Sequence, residues 1–161
     1  MNIFYLDHNP RKSARYLCDR HCVKMVLESA QMLCTAHRVL GTDSVADHYG
    51  LYKSTHIRHP CSVWTRESTG NYKWHYRLFL AMLDEYSIRY NRTHACDRLT
   101  IPLSGPPQRI PNAKFTIPPQ CMPDEYKGID TVQAYRRYYI HGKSDIAVWK
   151  FCPSPLWFKQ K

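Results

Sequence analysis

Two stretches of the chain carry apolar residues at helical spacing. The first is CDRHCVKMVLESAQML, residues 18–33. On a helical wheel Cys18, Cys22, Val26, Ala30 and Leu33 fall on one side. His21, Lys24, Glu28 and Gln31 fall on the other, and Thr35 and Arg38 continue that line. Upstream, Asn9 suits an N-cap and Pro10 the first helical position, while Gly41 can end the helix. A helix is therefore expected from 10 to 40, with a bend or break near 16–19. At 1.5 Å per residue it would span ~45 Å, long for a small domain. The second stretch places Tyr72, Tyr76, Phe79, Leu83, Tyr86 and Tyr90 at alternating steps of four and three, which predicts a helix over 70–91.

The remaining segments have weaker patterns. Residues 2–6, NIFYL, read as a strand or an extended lead-in. Residues 42–61 read as a short helical turn and a loop. Seven of the 11 prolines lie between 102 and 123, which rules out a long helix or a central strand there. Leu103, Ile110, Phe115, Ile117 and Met122 can anchor this segment, so residues 97–128 are expected to form an ordered loop over the helices. Asp130 can cap a further helix through TVQAYRRYYIH, with Gly142 at its end. The tail reads as irregular, docked by Trp157 and Phe158. The expected fold is mainly α: a compact single-domain helical bundle over residues 1–161, with two long helices and a long proline-rich ordered loop.

Composition and charge narrow the function. With 161 residues and 43% hydrophobic content, the chain can bury a real core. Lys and Arg outnumber Asp and Glu by 23 to 13, a formal charge of +10. That balance favours a polyanionic partner, most simply nucleic acid. No apolar run approaches the ~20 residues of a membrane span, so no membrane partner is expected. The first residues lack the pattern of a signal peptide, and an intracellular location is expected. The seven cysteines include no CxxC and read as buried thiols in a reducing compartment. Glycine-rich phosphate loops, G-x-S-x-G, H-E-x-x-H and the zinc-deaminase motifs are all absent, which argues against a Walker-type nucleotide hydrolase.

Five constellations can carry chemistry. In the polar stripe, Lys24 can act as a nucleophile or anion contact, Glu28 as a base or cation stabiliser, and His21 as a titrating group. A solvated helix face would carry the same residues. In THIRHPCSVW the donors after Pro60 could meet phosphate, flanked by Arg58 and Arg66, with His59 near and Trp64 either stacking or in the core. His56, His59 and Cys61 form a conceivable zinc set with non-standard spacing and no clear fourth ligand, so no metal and no cofactor are expected. In RESTGNYKWHYR, Arg66, Lys73 and Arg77 alternate with aromatics. Trp74, off the core stripe, is the stacking candidate there. Asp124 and Glu125 in QCMPDEYKG are an adjacent acidic pair or a plain turn. Arg136, Arg137 and Lys143 sit among tyrosines as a second phosphate-contacting face.

The combination of LDHNPRKSARYLCDRHCVKMVLESAQML, HPCSVWTRESTGNYKW, EYSIRY and MPDEYKG resembles a family of small viral and phage proteins. Their layout is similar to that of the phage pyrimidine-dimer DNA glycosylases. The resemblance implies a compact all-α enzyme that cuts the glycosidic bond at a thymine dimer and then nicks the strand. Its nucleophile would be a processed N-terminal amine, and Glu28 would stand for the family's acidic residue. Here Met1 precedes the bulky Asn2, which should hinder removal of the methionine. The amine would be that of Met1, or Lys24 would serve instead. The leading expectation is thus a viral DNA base-processing glycosylase and lyase, acting in DNA repair or modification in the host cytoplasm. A base-modifying group transferase and a non-catalytic nucleic-acid-binding protein are the alternatives. The base or lesion, DNA against RNA, and the oligomeric state are open in the sequence.

Overall fold

The structure is a computed structural model that describes residues 1–159. It is mainly α, and among the described residues there is no β-strand. The helices are α1 (Pro10–Tyr16), α2 (Asp19–Leu40), α3 (Asp43–His48), α4 (Pro60–Thr65), α5 (Thr69–Tyr90), α6 (Thr131–Arg137) and α7 (Leu156–Lys159). Helix α5 packs on α1 and α2, and α4 sits against both long helices. One contiguous apolar core joins them.

The first pattern is two helices, with the break inside the expected 16–19. Asn9 caps α1 by accepting from the backbone of Arg11 and Lys12, with Pro10 in the first turn. The chain then extends at Leu17 and Cys18 before α2 begins. The break is held from outside. Arg89, buried on α5, donates to the carbonyls of Arg15 and Leu17 at 2.9 and 2.7 Å, and its charge is met by Glu85 and Asp19. Asp19 in turn accepts the Lys150 N–H at 2.6 Å. Nothing local to residues 10–40 encodes these partners.

The NIFYL segment is extended but joins no sheet. Ile3, Phe4, Tyr5 and Leu6 are all buried. A buried backbone without a ladder needs other partners. The Ser13 hydroxyl donates to the Phe4 carbonyl and accepts from the Leu6 N–H, and Arg136 Nε donates to the Leu6 carbonyl.

Helix α5 follows its pattern. Ser68 caps it through the Asn71 N–H, and Asn91 ends it in the left-handed region. Two of its tyrosines use their hydroxyls on the loop: buried Tyr72 donates to the Leu103 carbonyl at 2.9 Å and half-buried Tyr76 to the Thr100 carbonyl at 2.7 Å. The proline-rich segment is thus an ordered loop, as expected. Residues 111–122 form a strap laid over the starts of α4 and α5. The N–H groups of Thr69 and Gly70, orphans of the first turn, donate to the carbonyls of Pro111 and Ala113. The Asn71 side chain accepts the Thr116 N–H at 2.8 Å. Gly70 permits this approach, since a Cβ there would lie 2.2 Å from the Phe115 nitrogen. Gly70→Ala is expected to push the strap off and cost about 1–3 kcal/mol, measurable by urea unfolding with tryptophan fluorescence.

A fully buried histidine joins three helices. Ser29 on α2 donates to His75 Nε2 at 2.9 Å, His75 Nδ1–H donates to Thr65 at 2.8 Å, and Thr65 donates to the Cys61 carbonyl. This chain of donors is complete only with the imidazole neutral. Burial pushes its pKa down to about 3, and that of buried His21 to about 4. An unfolded histidine takes its proton near pH ~6.5, so between that value and the folded pKa the unfolded state binds more protons. Stability should be complete above that pH and should fall on acidification, by roughly 2 kcal/mol or more at pH ~4.5. Urea midpoints across this range measure it.

Candidate active site

The N-terminus, α2, the start of α4, the strap and α6 meet around one carboxylate. Glu28 is 9% exposed, so its charge must be met by neighbours. The Met1 amine lies 3.5 Å from its Oε2 and the Asn2 backbone N–H 3.0 Å from the same atom. Lys24, one turn earlier on α2, places Nζ 3.4 Å from Oε1. Of the four expected catalytic residues, Met1, Lys24 and Glu28 are therefore brought together. Lys24 keeps its side chain 64% exposed, whereas the Met1 side chain is 2% exposed.

The amine is placed by the Asn2 side chain. Its amide donates to the Cys121 carbonyl at 2.8 Å, and its Oδ1 accepts the Ile3 N–H at 2.8 Å. The Tyr135 hydroxyl, on α6, stands 2.8 Å from both Asn2 Oδ1 and the Pro119 carbonyl and accepts the Cys121 N–H at 3.2 Å. Tyr135 is fully buried, and that burial drives its pKa up, so it stays a neutral donor. Neither Asn2 nor Tyr135 was picked out from the sequence. The partners lie 133 positions apart, and no local pattern links them.

His59 and two cysteines border this cluster. His59 caps α4, its Nδ1 accepting the Cys61 N–H at 3.2 Å. Burial lowers its pKa, the N-terminal amine lowers it further, and Glu28 opposes both. The Cys61 thiol donates toward Cys121, with the sulfurs 3.4 Å apart. That bond brings the Cys121 thiol down to about 7 and pushes the Cys61 thiol up.

Several expected residues take other roles. His21 is buried, stacked on Phe4 and hydrogen-bonded to Tyr139. Trp74 is not free to stack on a base. It is 8% exposed, packs with Tyr5, Trp64 and Phe115, and donates to the His8 carbonyl. Trp64 is likewise buried and donates to Thr116 on the strap. The start of α4 is closed by His59, and Arg66 turns back to the Ile57 carbonyl at 2.7 Å, so the pair does not frame open donors. Arg136 is spent on Leu6, Asp7 and the rings of Tyr16 and Trp157. Arg137 donates to the carbonyls of Tyr126 and Lys127 but remains exposed. Lys143 lies over the Tyr138 ring. Arg58 and Lys73 are exposed, and Arg58 lines an open cleft with Pro60, Val63, Glu67 and Thr116. Asp124 and Glu125 form an exposed turn, with Asp124 paired to Lys127.

Tyr135→Phe removes one hydroxyl that Asn2 Oδ1, the Pro119 carbonyl and the Cys121 N–H share, leaving Asn2 Oδ1 with the Ile3 N–H and the other two with each other. A loss of about 1–3 kcal/mol with an unchanged m-value is expected in urea denaturation.

The searches of curated proteins and of solved structures returned no match. A family model described as pyrimidine dimer DNA glycosylase matches residues 1–98, which carry the amine, Lys24, Glu28, His59 and Cys61. The match spans more than half of the 161 residues, and the chain belongs to the pyrimidine dimer DNA glycosylase family.

Proposed function

We propose that the protein is a DNA glycosylase with lyase activity whose nucleophile is the N-terminal amine, working against Glu28. One observation carries this reading: a buried carboxylate holds the first two backbone nitrogens of the chain within 3.5 Å. Family membership supplies the substrate class, DNA with a damaged pyrimidine.

The chemistry needs a neutral amine, an electrophilic sugar carbon and a stabiliser of positive charge. As a class, α-amines release their proton at a pH roughly 2 to 3 below that of lysine amines. Lys24 projects into solvent, whereas the Met1 side chain is anchored in the protein, so the α-amine is the better-positioned nucleophile. The amine nitrogen bonds to the sugar C1′, and the glycosidic pair leaves with the base. The amine proton passes to solvent or to the departing base. The C1′–O4′ bond then opens, O4′ takes a proton, and the nitrogen lone pair forms the cationic iminium, which Glu28 stabilises. Loss of a C2′ proton then expels the 3′ phosphate and nicks the strand. Lys24 completes the charge balance of Glu28 and offers a phosphate contact. Exposed Arg58, Lys73 and Arg137 contribute to backbone attraction, which weakens with salt. If Met1 is removed in the cell, the Asn2 nitrogen becomes the amine and already lies 3.0 Å from the same carboxylate oxygen.

Borohydride trapping on dimer-containing and abasic duplex DNA tests the proposal. Wild type and Lys24→Ala should both form a covalent adduct, and intact mass with peptide mapping should locate it at the N-terminal residue. Glu28→Gln should bind DNA with little change and lose adduct formation by ~100-fold or more. Loss of the adduct in Lys24→Ala, with its peptide found at that lysine in wild type, would move the nucleophile there. Binding without any adduct on either DNA would favour a non-catalytic DNA-binding protein.

A further inference from the structure

A second constellation stands beside the amine and is not needed by the reaction above. His59 and Cys61 at the start of α4 and Cys121 on the strap each present a ligand atom, and these atoms all lie within 4.8 Å of one another. The two sulfurs are 3.4 Å apart, close to the separation of two thiolates on one tetrahedral ion. We propose that His59, Cys61 and Cys121 form a binding site for a thiophilic divalent cation of the zinc class, which clips the strap to α4 beside the N-terminus.

The donor set fits such an ion. Two sulfurs and one imidazole nitrogen make three protein ligands, leaving a fourth position for water or for a group brought by a substrate. Soft sulfur donors select zinc-class ions over magnesium or calcium. The surroundings are also suitable. The backbone N–H of Ile3 favours the thiolate form of Cys61, and that of Cys61 favours the thiolate of Cys121. On binding, each thiol gives its proton to solvent. Two thiolates then offset the double positive charge, so the loaded site adds no net charge beside the amine. Cys61 is buried, while His59 and Cys121 are half-buried and give the ion a route in.

The set is not the one expected from local spacing. His56 is exposed, adopts a positive φ of 48° and bonds to its neighbour Thr55. The third ligand comes from the strap, 60 residues beyond Cys61. The consequence is mechanical. Cys121 also offers its carbonyl to Asn2, so a cation on its sulfur would fix both the strap and the segment that places the amine.

The test uses the full chain, kept reduced with a non-thiol reductant and titrated with cobalt(II). Wild type should take up one equivalent, with thiolate-to-cobalt charge-transfer and tetrahedral ligand-field absorption, both erased by added zinc. Cys121→Ala, at a half-buried position that should tolerate the change, should lose the charge-transfer band. His59→Asn should keep that band and weaken binding at least ~10-fold. Cys96→Ala, a buried thiol away from this set, should bind as wild type. Absence of a thiolate band in reduced wild type overturns the proposal. So does an undiminished band in Cys121→Ala, or recovery of the pair as a disulfide with no cation uptake after reduction. Cobalt uptake is read without DNA, so its failure is separate from failure of the glycosylase reading.

Discussion

The structure depends on burying an extended N-terminal segment that has no sheet to pair with. Ile3 to Leu6 run through the core, and each buried peptide group has to find a partner. Ser13 from α1, Arg136 from α6 and the Asn2 side chain supply these bonds. Once residues 3–6 are fixed, the first nitrogen of the chain has little freedom and arrives at Glu28. A free N-terminus would ordinarily be mobile. Here it is tied down by core packing on one side and a carboxylate on the other.

That arrangement recasts the polar stripe of α2. Its residues are not equivalent members of one wet face or one pocket wall. His21 faces the Phe4 ring and Tyr139, Thr35 bonds to the backbone of Thr55, and Arg38 collects Asp43, Asp47 and two carbonyls. Only the middle of the stripe, Lys24 and Glu28, meets the N-terminus. Most of the others satisfy buried polar groups of neighbouring loops. Glu28 differs because its partners are two amines and a peptide N–H at the start of the chain.

The family match ends at residue 98, yet the N-terminus is positioned by residues beyond it. Cys121 and Pro119 on the strap and Tyr135 on α6 form the far side of the Asn2 network. Strap and helices are coupled through Gly70, Asn71 and Trp64. The proline-rich segment is thus a structural part of the site. Its prolines remove the backbone donors that an irregular segment would otherwise leave unmet.

The sequence by itself determined α5, the caps at Asn9 and Asp130, and the ordered proline-rich segment, because these follow from spacing and local backbone chemistry. It also marked Glu28 and Lys24, which are neighbours through helical periodicity alone. It could not assign Trp74 to the core, since the strap residue Phe115 that covers it is 41 positions away. Nor could it pair His21 with Tyr139, or name Arg89 as the group that holds the break it marked near 16–19, because those partners come from distant segments. Tertiary structure alone decided that the N-terminal amine, Asn2, Tyr135 and Cys121 converge. Contacts across more than 100 residues depend on how helices pack, and local pattern carries no record of that.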